Sequence, residues 1–138
     1  MVDRDKANRL LGHLTSCNAD LKRYRDRITR QELRTIRDTQ HTVLRALYVA
    51  TQSALDLAMH LGADVGLPPA ATYQDAFRRL SDAEILDRDL AERLVAWAGF
   101  RNVLAHFYSP VDYERVYDAL GELADLEHFA AVVTTRIT

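Results

Sequence analysis

The stretch RNVLAHFY at 101–108 sets an arginine, an asparagine, a histidine and a tyrosine close together at the end of an otherwise apolar segment. Arg101 stays cationic and can grip a phosphate with a fork of parallel N–H donors. His106 can take or give a proton near neutral pH. In the last turn of a helix, the carbonyl end would favour its imidazolium form. Asn102 stands four positions before His106 and could orient the ring from one turn back. Such a set suits cleavage of an RNA phosphodiester. There the 2′-hydroxyl is an internal nucleophile, a base must remove its proton, and a cation must steady the charge gathering on phosphorus. No step requires a metal. The plainer alternative is a capped helix end with solvated polar residues. An arginine and a histidine at this spacing say little alone; Asn102, Tyr108 and the helical context add to them.

At roughly 100° per residue, Asn102 and His106 share a face of a straight helix, and Arg101 and Tyr108 return to nearly one azimuth. Arg101 and His106 then lie about 140° apart. One straight helix presents them on two edges, and a second copy packed by symmetry could close the gap. The spacing therefore points to a complete site that needs a dimer.

The positioning elements read as helices. Leu10, Leu14, Cys17, Leu21, Tyr24 and Ile28 form one stripe, which makes Cys17 a small core residue rather than a nucleophile. TRQE at 29–32 has the pattern of a capping box and opens a second helix. That helix is expected to run to about Leu61, with Gln40 interrupting its stripe and Gly62 stopping it. Pro68 and Pro69 place a loop at 63–72, and YQDAFRRL at 73–80 reads as a short helix. SDAE at 81–84 looks like a second capping box before the helix that carries Leu90, Leu94 and Trp97. Ser109 suits an N-cap, with Asp112 completing its box, and Pro110 suits the first position of a single last helix through Val116, Leu120, Leu123 and Ala130. The expected fold is all-α: an up-and-down antiparallel four-helix bundle with one extra short helix, a single domain over 1–138.

Composition agrees. The chain has 138 residues and is 48% hydrophobic, with only three prolines and five glycines, which favours long helices around one core. A lone cysteine excludes an intrachain disulfide, and there is no membrane-length apolar run and no signal-peptide pattern, so a cytoplasmic protein is expected. The net charge of −2 is unevenly spread. Lys22, Arg23, Arg25, Arg27, Arg30, Arg34 and Arg37 crowd residues 22–37, while the chain from Ser81 is acidic. The basic run is either a solvated helix face or a surface for RNA or an acidic partner.

With these residues in view, RNVLAHFY resembles the R-N-x-x-x-H-x-Y signature of HEPN-domain toxins of the HepT type. The resemblance covers most of the chain: TQSALDLAMHLG at 51–62, TYQDAFRRLSDAEIL at 72–86 and SPVDYERVYDAL at 109–120 are similar to the corresponding segments of that family. It implies a dimerising HEPN bundle and a metal-independent endoribonuclease toxin acting on tRNA or mRNA, with Arg101 and His106 as the catalytic pair and no cofactor. It also implies a partner, an MntA-like minimal nucleotidyltransferase antitoxin that transfers AMP to the motif tyrosine, here Tyr108. A phosphodiester added there would bring negative charge and bulk beside the arginine and histidine.

Asp56, among Ala54, Leu55, Leu57 and Ala58, is either a structural hydrogen-bond acceptor or a supporting contact that orients Arg101 or His106. His13, His41, His60 and His128 show no ligand spacing for a metal. Trp97 reads as core or dimer interface, and Tyr113 and Tyr117 either pack the bundle or flank the site. No Gly-rich phosphate loop is present, so the chain is expected to accept AMP rather than transfer it. Two further classes of function stay open: a non-catalytic HEPN binding module that complexes a nucleotidyltransferase, and a purely structural bundle.

Overall fold

The computed structural model describes residues 3–106 and 110–137, and these form helices without strands. The elements are α1 (Arg4–Arg27), α2 (Arg30–Thr35), α3 (Arg37–Asp64), α4 (Tyr73–Asp82), α5 (Arg88–Ala105), α6 (Tyr113–Leu120) and α7 (Leu123–Ile137). Helices α1, α3, α5 and the α6–α7 pair make the four legs of the expected bundle. α3 packs against α1, α4, α5 and α7, so it is the central leg. Gln52 of α3 meets Arg101 of α5, while Leu44 and Tyr48 lie beside Leu104 and Ala105, so these two helices run antiparallel. Their shared core includes Leu47, Leu55, Leu94 and Leu104, each at most 1% exposed. Burying leucines of this kind supplies about 1.5–3 kcal/mol apiece and fixes the register of the two helices. An edge-to-face contact of Phe77 and Phe129, centroids 5.5 Å apart, ties α4 to α7.

The stripe on α1 is as expected: Leu14 and Leu21 are fully buried, and Leu10, Cys17, Tyr24 and Ile28 pack against the core. Burial, then the nearby Asp20, pushes the Cys17 thiol up, with Arg45 opposing, so the thiolate is disfavoured. The Thr29–Glu32 capping box forms with both hydrogen bonds at 3.1 Å.

Four boundaries differ from expectation. The second helix breaks at Ile36, which is extended at φ −104° and ψ 111°. Gln40, the residue that interrupts the apolar stripe, donates its side-chain amide to the Arg34 carbonyl at 3.0 Å and satisfies the end of α2. α3 runs past Gly62; its left-handed residue is Gly66 at φ 79°, with Leu67 N–H donating to the Gly62 carbonyl at 2.9 Å. That is a Schellman ending, with Leu67 folded over the helix end. The SDAE box does not form. Ser81 and Asp82 continue α4, Glu84 takes φ 61°, and Ile85 N–H donates to the Leu80 carbonyl at 2.9 Å. Asp87 caps α5 instead, accepting from Leu90 N–H at 2.7 Å.

The last helix is likewise two. Asp112 is itself the N-cap of α6, accepting from Glu114 and Arg115 N–H at 3.1 and 3.3 Å, so Pro110 precedes the helix rather than opening it. The Ser109 assignment lies outside the described residues. Gly121 and Glu122 then turn between α6 and α7, and a Cβ on Gly121 would sit 3.2 Å from the Asp118 carbonyl oxygen. Among the described residues, no helix is long and apolar enough to cross a membrane.

Candidate functional site

Helix α5 ends at Ala105, and His106 leaves it with φ −109° and ψ 41°. This corrects the straight-helix arithmetic: the azimuth of His106 is set by a turn, not by helical continuation. Its side chain is exposed, as is Asn102 one turn back. Tyr108 lies outside the described residues.

Arg101 is half-buried against α3. Its Nε donates to Gln52 Oε1 at 3.0 Å. Gln52 Nε2 in turn donates to Asp56 Oδ1 at 2.9 Å and to the Tyr73 hydroxyl at 3.2 Å. Asp56 therefore reaches Arg101 through an amide and not directly. Gln52 and Asp56 sit one turn apart on α3, which makes their bond a local consequence of helical spacing; Tyr73 is brought in by the first turn of α4. Neither Gln52 nor Tyr73 is marked by the sequence as a site residue; Tyr73 reads there as part of one face of the short helix. The only trace there is a polar pair four residues apart inside the apolar run of α3.

No carboxylate among the described residues lies within ion-pair distance of Arg101. Among the described residues, the guanidinium is thus held in place by a neutral partner. A cleft of about 570 Å³ opens between α3 and α5, lined by His41, Leu44, Arg45, Tyr48, Leu104 and Ala105. It adjoins the turn that carries His106, and it combines an apolar floor with cationic or titratable groups at its edge.

The basic run at 22–37 is different. Lys22 pairs with Glu127 at 2.7 Å, Arg23 with Asp20 at 2.8 Å and Arg25 with Asp26 at 3.1 Å. Arg30 bonds to Glu114 and reaches Asp118 at 3.4 Å, and Arg34 reaches Glu114 at 3.3 Å. Three of the seven cations are therefore spent on the acidic C-terminal helices and two on carboxylates of α1 itself. Arg30 also lies over the Tyr117 ring at 4.4 Å, which ties Tyr117 to the α2–α6 contact. Trp97 is buried, and its Nε1 donates to Asp125 at 3.2 Å, so it belongs to the core.

Comparison with known proteins bears on this geometry. A family model described as ribonuclease HepT-like matches residues 14–133. A tRNA nuclease HepT from Aphanizomenon flos-aquae is 31% identical over 77 residues, 56% of this chain, and the match spans about half (52%) of that protein. A putative RNase from Archaeoglobus fulgidus is 28% identical over 91 residues, covering 66% of this chain and 68% of its own. Among solved structures, the tri-AMPylated Shewanella oneidensis HEPN toxin, in complex with an MNT antitoxin, superposes with a TM-score of 0.84 over 98% of this chain and 99% of that one, at 19% identity. At that identity the likeness establishes the HEPN fold alone. The family model spans most of the chain, and the chain belongs to the ribonuclease HepT-like family.

Proposed function

We propose that this chain is the toxin of a toxin–antitoxin pair, a metal-independent endoribonuclease acting through Arg101 and His106. The observation that carries the reading is the Arg101 guanidinium, held by the neutral Gln52 five residues before the exposed His106. His106 accepts the proton of the RNA 2′-hydroxyl, and the 2′-oxygen attacks phosphorus. Arg101 binds the phosphate oxygens through its terminal nitrogens and stabilises their growing charge. The 5′-oxygen leaves and takes up a proton from solvent water, so the ends are a 2′,3′-cyclic phosphate and a 5′-hydroxyl. Asn102 holds the ring of His106 in the working complex. The α3–α5 cleft takes the strand beside the scissile bond, with a base on Leu44, Tyr48 and Leu104 and a phosphate toward Arg45.

The likeness to a tRNA nuclease supports tRNA as the substrate class. The likeness to an AMPylated toxin bound to an MNT antitoxin supports control by an MntA-like nucleotidyltransferase that transfers AMP to Tyr108. The added phosphodiester would occupy the Arg101 phosphate site. The single domain over 1–138 works as a homodimer with the motifs opposed across the interface.

The test is incubation of protein whose Tyr108 is unmodified by intact mass with total RNA in EDTA. Cleavage by the wild type and none by His106→Ala, with cyclic phosphate ends, is the expected result. Intact RNA with both proteins would favour the non-catalytic binding module.

A further inference from the structure

The geometry points to Gln52 as a positioning residue for Arg101, a neutral clamp that aims the guanidinium while leaving its charge free for phosphate. The inference rests on the ribonuclease reading and adds to it a residue on a different helix.

Gln52 has three bonds with distinct directions. Its oxygen accepts from Arg101 Nε at 3.0 Å, and its amide nitrogen donates to Asp56 at 2.9 Å and to Tyr73 at 3.2 Å. The two acceptors fix which way the amide faces. Turned over, it would set N–H against the N–H of Arg101 and oxygen against the Asp56 carboxylate. Asp56 and Tyr73 thus aim the oxygen of Gln52 at Arg101. The bond uses Nε; among the described residues, no partner takes a bond from the two terminal nitrogens, the pair that can form a fork.

A carboxylate at position 52 would hold Arg101 equally well, but it would cancel the charge that a phosphate needs. Asp56 bonds the amide instead and stays one group removed. Gln52 and Asp56 are both half-buried, so the difference between a neutral and an anionic partner is felt more strongly than on an open surface.

The test is a double-mutant cycle on kcat/KM for RNA cleavage, with Gln52→Ala and Arg101→Ala singly and together, beside the ¹⁵N spectrum of the arginine Nε–H groups. Gln52→Ala should lower kcat/KM roughly 10- to 100-fold. In the Arg101→Ala background it should add nothing, because Gln52 acts only through Arg101. The Nε–H signal that disappears in Arg101→Ala should broaden or shift in Gln52→Ala. Gln52→Glu provides a second variant: it should keep that signal yet still lose activity. Additive losses in the cycle, or an Nε–H signal indifferent to Gln52→Ala, would overturn the clamp. A wild type that cuts no RNA would sink the ribonuclease reading and the catalytic role of Gln52 with it, while the spectrum would separately show whether Gln52 holds Arg101.

Discussion

Helix α5 carries Arg93 and Arg101, about two turns apart, and each meets a polar group of a neighbouring helix. Arg93 Nε donates to Asp125 Oδ1 at 2.8 Å, and the other oxygen of that carboxylate accepts from Trp97 at 3.2 Å. Arg101 Nε donates to the neutral Gln52 at 3.0 Å. The first arrangement closes a charge pair: a carboxylate that is 9% exposed is satisfied by a guanidinium and an indole. The second fixes direction without closing the charge. Two arginines on one helix thus serve stability and chemistry by the choice of a single partner, carboxylate or amide.

The strongest way to break the comparison is to remove each side chain. Arg101→Ala or His106→Ala should each cost about 10²–10⁴ in the rate of RNA cleavage and leave the melting temperature nearly unchanged. Arg93→Ala should cleave normally. A smaller effect separates the shape of the cation from its charge. Arg101→Lys keeps the charge but loses the fork and the Nε bond, so a loss of about 10-fold or more is expected in the same assay.

On the stability side, Asp125→Ala leaves the Trp97 N–H buried without its partner. About 1–3 kcal/mol should be lost in urea unfolding, with cleavage by the folded protein retained. A fall in cleavage matching that of Arg101→Ala would mean that the two arginines do not divide the work in this way.

The least expected effect lies in the paired basic run. The Lys22 hydrogen bond holds the Glu127 carboxyl below its ordinary value of 4.5. A lowered folded-state pKa means that the pair's contribution is complete above the ordinary value and is lost as the pH falls through the lowered one. The Lys22 side chain is 38% exposed and that of Glu127 52%, so solvent screens the pair and the contribution is small. Lys22→Ala should lower the melting temperature slightly at neutral pH and not at all in strong acid. Equal shifts at both would contradict the assignment.

The legible parts of the molecule were those written within a turn or two of chain. The Leu14–Leu21 stripe follows from helical period, and the Thr29–Glu32 box from two partners three residues apart. The same box pattern at Ser81–Glu84 failed because Leu80 and Ile85 close α4 around it, an outcome set by which side chains reach the core. Neither break, at Ile36 nor at Gly121, carries a proline. Arg101, His106 and Asp56 stood out by type and by family resemblance. The Gln52 bridge between Arg101 and Asp56 did not, because the Arg101–Gln52 bond depends on the register of α5 against α3 and so on packing across 49 residues of chain. The turn at His106 was hidden for a related reason: nothing in LAHF interrupts helical period, yet α5 ends at Ala105.

The measurement that tests the central claim most directly is cleavage of one RNA, in EDTA, by Arg93→Ala and Arg101→Ala side by side, each checked for folding by circular dichroism. The account predicts wild-type cleavage from the first and almost none from the second. Equal activity in the two would contradict it.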